Sequence, residues 1–226
     1  MLNRVVIKLT GKLFSPENVK VLMEIADIII EHKKRGLKLA VVVGGGETAR
    51  KYISMASEAG VSLGWQDILG INASRVNAVL FSALLGDYAY YPIPTRIEEF
   101  IHAWNLDKIA VGGGLQPGQS NNAVAASLAE LLNAELLINA TTVDGVYDRD
   151  PRIDPNARIL KELTIKELKN VLSQSYAPGK YELLDPIAIS IIERAKLNIV
   201  FINAFKPYML KSVLSGEKTY GSWVIP

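Results

Sequence analysis

VVVGGGETAR, residues 41–50, decides the fold: three β-branched residues run into three glycines, and a helix-forming stretch with an arginine follows at once. Two other stretches repeat the arrangement. Lys8-Leu9-Thr10-Gly11 follows Val5-Val6-Ile7, and Gly112-Gly113-Gly114 follows Ile109-Ala110-Val111. Glycine has no Cβ, so backbone N–H groups converge on an anion, and a helix starting there adds the positive end of its dipole. Three such turns at the ends of strands in one sheet predict a site for several phosphates.

Outward from those turns, apolar runs alternate with helical periodicity, the rhythm of a parallel sheet with crossover helices. Strands are expected over Arg4 to Leu9, Leu37 to Val43, Tyr88 to Ile93, Lys108 to Val111, Ala134 to Ala140, Asn198 to Ala204 and Ser222 to Ile225. Helices are expected from Pro16, after a Ser15 N-cap, to about Arg35, and over Glu47 to Ala59, Asp67 to Leu85, Arg96 to Trp104 and Asn122 to Leu132. Further helices are expected over Lys161 to Leu172, Pro186 to Lys196 and Pro207 to Leu214. The stretch from Thr141 to Asn156 is rich in Asp, Pro and Gly and reads as turns. In such a sheet the ligand lies beyond the carboxyl ends of the strands, where all three glycine turns fall.

With 226 residues and 49% hydrophobic composition, the chain buries a full α/β core, and no low-complexity linker separates two domains. A net charge of +2 leaves no basic footprint for nucleic acid or a membrane surface. The absence of cysteine removes disulfides, thiolate catalysis and zinc-thiolate sites, and fits a reducing compartment. No unbroken apolar run reaches the roughly 18 residues of a membrane span, and the N-terminus leads straight into a strand, so a cytoplasmic location is expected.

Common nucleotide fingerprints fail when read literally. Neither triple glycine continues as G-x-G-x-x-G, and Gly11-Lys12 precedes Leu13 where a P-loop needs Ser or Thr. Asp148, Asp150 and Asp154 are spaced like a calcium loop, but Ile153 and Ile159 stand where its glycine and glutamate belong.

Lys8 ends a buried strand, where a charge needs an opposite charge, and a triphosphate supplies one. Five motifs taken in order resemble the amino acid kinase family, and within it the archaeal-type uridylate kinases. They are Lys8-Leu9-Thr10-Gly11, Val41 to Arg50, Asp67 with Gly70 and Asn72, VGGGLQPG from Val111 to Gly118, and TTVDGVYDRDP from Thr141 to Pro151.

The resemblance implies a three-layer αβα sandwich around a mainly parallel sheet, formed by one kinase domain spanning residues 1–226. An acceptor lobe over 1–135 would bind UMP and a lobe over 136–226 would bind ATP, with magnesium accompanying the donor and a homohexamer built from dimers. It further implies that Lys8, Gly46 and Arg50 act on the transferring group. Leu9, Thr10, Gly11, Thr141, Tyr147 and Asp150 would join them around ATP, Tyr147 covering the adenine and Asp150 reaching the ribose. Gly45, Asp67 and the run Gly114, Leu115, Gln116, Pro117, Gly118, Gln119, Ser120 and Asn121 would hold UMP, with Asp67 accepting from its ribose hydroxyls. Metal ligands are not legible.

Ordinary structural roles stand beside these. Asp67 also reads as a helix N-cap, Arg50 as a solvated helix residue, and Asp144-Gly145 and Asp150-Pro151 as turn chemistry. The chain also departs from its relatives: Ser120-Asn121-Asn122 replaces the usual Thr-Thr-Asp, and Thr142 stands where many have Lys or Asn. An amide at Asn122 cannot act as a base near neutrality, but the acceptor phosphate is already largely dianionic at pH 7. Two alternatives follow. One is a kinase for another small phosphate or carbamate such as isopentenyl phosphate, which usually has a histidine in the acceptor region, whereas His32 and His102 read as packing or surface residues. The other is a non-catalytic nucleotide-binding or storage protein.

Overall fold

The computed structural model describes residues 2–151, 153–173 and 183–226. In chain order the elements are β1 (Arg4–Leu9), α1 (Val19–Lys34), β2 (Lys38–Val43), α2 (Gly46–Glu58), α3 (Leu63–Leu85), α4 (Ile97–Asn105), β3 (Ala110–Gly112), α5 (Asn121–Leu131) and β4 (Leu136–Thr141). Then come the two-residue strands β5 (Val146–Tyr147) and β6 (Ile159–Leu160), β7 (Glu162–Thr164), α6 (Ile165–Ser173), α7 (Pro186–Arg194), β8 (Ile199–Asn203), α8 (Pro207–Leu214) and β9 (Ser222–Ile225).

Seven strands form one sheet in the order β3-β2-β1-β4-β8-β9-β7. The first five are parallel, β9 runs antiparallel to β8, and β7 is parallel to β9. Side chains alternate across this sheet. In β1, Val5, Ile7 and Leu9 enter the core under α1, α3 and α8, while Val6 enters the core under α4, α5, α6 and α7. Lys8 therefore faces the second layer. Helices thus cover both faces, as the αβα expectation required.

Alanine makes the second layer thin. Ala123, Ala125, Ala126 and Ala129 of α5 are all buried, so this helix lies close against β1, β2 and β4 while keeping strong helix propensity. Its first turn thereby arrives beside the carboxyl end of β1. Asp185 starts α7 next to it, accepting from the N–H groups of Ile187 and Ala188 at 3.1 Å each.

Several expectations are corrected. Tyr88 to Ile93 makes no strand: a 3₁₀ turn covers Gly86–Tyr88, and one isolated bridge joins Ala89 to Ile109. Pro92 and Pro94 have no N–H to continue a ladder. Pro16–Asn18 is a 3₁₀ turn, so the first α-helix begins only at Val19, and Ser15 makes no side-chain cap. Residues Glu162–Thr164 join the sheet edge before α6 begins, because β9 offers them a parallel partner. Finally, α3 starts at Leu63, four residues before Asp67.

The segment Leu63–Tyr88 is long and apolar enough by length and composition to cross a membrane, and 44% of its apolar window is buried inside the protein. Its polar residues are placed for another task. Asn77 donates to the Gly44 carbonyl at 2.8 Å, and Ser74 Oγ accepts from Gly114 N–H at 2.8 Å. Both side chains are buried, so α3 bolts the second and third glycine turns into one body.

Replacing Asn77 with Leu removes the donor and leaves the buried Gly44 carbonyl unpaired, which costs about 1–3 kcal/mol. The expected outcome is a lower urea midpoint in an unfolding curve followed by circular dichroism, with an unchanged slope.

Candidate active site

The first two glycine turns interlock. A Cβ built on Gly11 would lie 2.1 Å from Gly46 N, and one on Gly46 would lie 2.2 Å from Gly11 O, both impossible contacts. Gly46 also has φ +61°, a left-handed conformation in which a side chain is strained. Only glycine fits at either position. Leu9 O accepts the N–H of Gly44 at 3.0 Å, so this amide is not available to a phosphate, contrary to the expectation for all three glycines. The N–H groups of Gly45 and Gly46 have no acceptor among the described residues and sit at the start of α2, which has no side-chain cap. This is the geometry that receives an anion.

Thr10 belongs to the same knot. Its N–H donates to Ala140 O at 2.9 Å, and its Oγ1 accepts from Lys12 N at 3.5 Å. Leu9 is fully buried, so it reaches a ligand by backbone alone. Arg50 lies in α2, exposed and without an ion pair among the described residues.

A cleft of about 270 Å³ opens beside this knot, between α2, α3 and the segment from Gly114 to Asn121. Gly45, Asp67, Gly114, Gln116, Gln119, Ser120 and Asn121 line it, together with Ala49, Ile53, Gly70 and Ile71. Leu115, Pro117 and Gly118 belong to the same segment but not to that lining. Asp67 is not an N-cap, because Ser62 occupies the position before α3. Instead its Oδ2 accepts from Gly118 N–H at 2.8 Å and ties α3 to the loop. Arg75 adds a second tie, donating to the carbonyl of Gly114 at 3.2 Å and that of Leu115 at 3.4 Å.

Lys8 is half-buried at the end of β1. Burial lowers its pKa from 10.5 to about 8, and the carboxylate of Asp185 works in the opposite direction. Asp185 is a carboxylate of this site that the sequence analysis did not single out. It accepts from the Ser120 hydroxyl, while the same hydroxyl caps α5 by accepting from Ala123 N–H at 3.0 Å. Asn122, at the position where relatives carry Asp, donates to Leu183 O at 3.2 Å. The only sequence signal for Asp185 was its place before Pro186, which reads as a helix cap.

The residues expected around ATP lie one strand over. Thr141 ends β4, Tyr147 is in β5 and Asp150 is in the following turn, where its carbonyl accepts from Ile153 and Asp154. Burial and the charge of Asp144 push the Tyr147 phenol upward, keeping it neutral. Asp144 itself is more than turn chemistry. Burial opposes its charge, but donors at 2.8 Å from both Lys206 and Asn203 outweigh that and hold the carboxyl below its usual range. Gly145 packs where a Cβ would meet Ser222 Oγ at 2.4 Å, so this loop is fastened to β9.

Residues 3–203 match the model of the amino acid kinase family. The chain belongs to that family. It is 44% identical over 225 residues to a uridylate kinase of Sulfurisphaera tokodaii, covering 99% of each chain. It is 46% identical over 214 residues to a uridylate kinase of Hyperthermus butylicus, covering 95% of each. The crystal structure of a uridylate kinase from Archaeoglobus fulgidus superposes with a TM-score of 0.87 at 34% identity, covering 99% of this chain and all of the other. A UMP kinase structure from Ureaplasma parvum shares the fold, with a TM-score of 0.83 at 21% identity.

Lys8 is held at a cost to folding, because the unfolded chain keeps that lysine protonated to higher pH than the folded one. Between about pH 8 and 10.5 the unfolded state binds more protons, so this group makes stability rise with pH. Replacing Lys8 with Met is therefore expected to raise the unfolding midpoint at pH 7. The advantage over the native chain should shrink steadily as thermal melts are repeated from pH 8 to pH 10.5.

Proposed function

We propose that this chain transfers the γ-phosphoryl group of ATP to UMP, giving ADP and UDP, in pyrimidine nucleotide synthesis in the cytoplasm. The observation that carries the reading is convergence. A half-buried strand-end lysine, two unpaired amides at a helix start and a cleft lined by Asp67, Gln119 and Asn121 meet at the carboxyl ends of adjacent strands. The acceptor region falls within residues 1–135 and the loop assigned to ATP within 136–226.

An oxygen of the UMP phosphate attacks the γ-phosphorus while the bond to the ADP oxygen breaks. No general base is required, since that acceptor is already an anion near neutrality. Gly45 and Gly46 amides, Lys8 and Arg50 neutralise charge on the equatorial oxygens as it moves. Asp67 accepts from ribose hydroxyls, and Ser120 and Asn121 supply polar atoms to the uracil side. Thr10, Gly11, Thr141, Tyr147 and Asp150 hold the donor.

Magnesium would accompany ATP and add positive charge at its phosphates. Among the described residues, no three Asp, Glu, His or Cys side chains are gathered into a cage. The isopentenyl phosphate reading lacks its histidine, because His32 is buried in α1 and His102 stacks edge-on against Tyr90 in α4.

Assembly accounts for the apolar outer stripe of α3. Val76, Val79 and Leu80 are 67%, 45% and 48% exposed at one-turn spacing. A second copy of the chain covering that stripe forms the dimer, three of which make the hexamer.

A coupled ADP-release assay over UMP, CMP, AMP and GMP is expected to show highest kcat/KM for UMP; equal rates on all four, or no ADP at all, refute the assignment. The Lys8→Met variant should lose about 100- to 1000-fold in kcat with little change in UMP affinity. In light scattering, the double change Val76→Lys and Val79→Lys should lower the assembly mass.

A further inference from the structure

Asn139 is a buried polar side chain beside Lys8 that the reaction as described does not use. Its Cα pairs with that of Lys8 across β1 and β4, so the two side chains stand next to each other on the face covered by α5 and α7. It is 1% exposed. Its amide orientation is set by two acceptors: Nδ2 donates to Leu183 O at 3.2 Å and to Asn122 Oδ1 at 3.4 Å. Oδ1 is thereby left as a buried acceptor without a donor among the described residues. A buried acceptor left without a donor destabilises the fold.

Lys8 stands in register to supply a donor that Oδ1 does not receive from any described residue in this structure. Its ammonium carries three hydrogens on a four-carbon stem, and it stands on the adjacent strand in register. The charged groups around it do not compete for this acceptor. Asp185, at the head of α7, is the carboxylate whose charge acts on Lys8. The first turn of α5 and the nearby ends of β2 and β4 bring amides and apolar side chains, while Lys12 and Arg50 carry the same sign as Lys8.

We propose that Asn139 is a positioning residue for phosphoryl transfer: Oδ1 receives the Lys8 ammonium and, with Asn122 and Leu183 O fixing its plane, aims that charge in place of the carboxylate absent at position 122. The role in turnover rests on the UMP kinase reading. The proposed pairing of Asn139 with Lys8 does not. A neutral acceptor favours the charged lysine less than a carboxylate would, which leaves the ammonium free to pair with phosphate rather than with protein.

Two readouts separate this from a purely structural tether for Leu183. The first is the alkaline limb of kcat/KM against pH, which reports ionisation in the free enzyme. Asn139→Leu loses the acceptor, so the limb moves to lower pH and kcat falls about tenfold at pH 7.5 while KM for UMP stays within about twofold. Asn139→Asp places a carboxylate there, and the limb moves to higher pH. The second readout is the Lys8 ammonium titration itself, followed by NMR with labelled lysine in the full chain without nucleotide, using Lys8→Met to assign the signal. It moves in the same two directions. If Asn139→Leu does not fold, Asn139→Ala carries the same expectation. Superimposed pH limbs and an unchanged Lys8 titration in variants that merely melt earlier overturn the proposal. A native chain that titrates as described but makes no UDP overturns the kinase reading alone.

Discussion

The backbone contact between Gly11 and Gly44–Gly46 is the constraint on which the rest of the site depends. β1 and β2 are neighbours in register, so their ends emerge together, and each must turn away within one or two residues. The two turns pass so close that a Cβ on Gly11, Gly44 or Gly46 would lie within 3 Å of the opposing backbone. This closeness is what leaves the Gly45 and Gly46 amides unpaired at the head of α2 and places Lys8 three residues from the crossing. A side chain in the crossing would force the strand ends apart and separate lysine from amides, even if every other contact survived.

Around that crossing the protein spends its buried polar groups on alignment. Asn77 and Ser74 fasten α3 to the second and third turns, Asp67 and Arg75 fasten the acceptor loop to α3, and Ser120 fastens the start of α5 to the cap of α7. Each tie satisfies a group that would otherwise be costly to bury. Together they make the cleft and the lysine one rigid frame, so correct placement of two anions is prepared before either arrives. The charge balance follows the same logic. Lys8 is kept short of protein partners, with burial lowering its affinity for a proton and only Asp185 opposing, so a phosphate becomes the group that restores it.

Much of this was legible in residue order because glycine and β-branched runs carry local meaning. The three turns, the strands leading to them and the helices beginning after them depend on φ, on Cβ volume and on period, all properties of short segments. Asp67, Gly114 and Asn121, which line the cleft, each sit inside such a motif. The failures came where a partner far away in the chain decided the outcome. Residues 162–164 became a strand only because β9 lay alongside, and residues 88–93 did not because their prolines could not pair. Asp185 caps α7. Its second oxygen acquired meaning only when the fold brought Ser120 and Lys8 to it across more than sixty residues.

Asn122 shows why such distant placement matters for reading chemistry. In residue order it is a loss, an amide where relatives have a carboxylate, and it raises the possibility of a silent binding protein. In three dimensions its oxygen accepts from Asn139, its nitrogen donates to Leu183 O, and Asp185 stands across the same layer. A negative charge at 122 would face the Asp185 carboxylate in a poorly hydrated space, where two like charges are expensive. One carboxylate with neutral amides around it is the arrangement that leaves Lys8 charged without binding it too tightly. The carboxylate of Asp185 at the cap of α7 thus supplies, beside Lys8, the negative charge that position 122 does not, although the motif reads as broken.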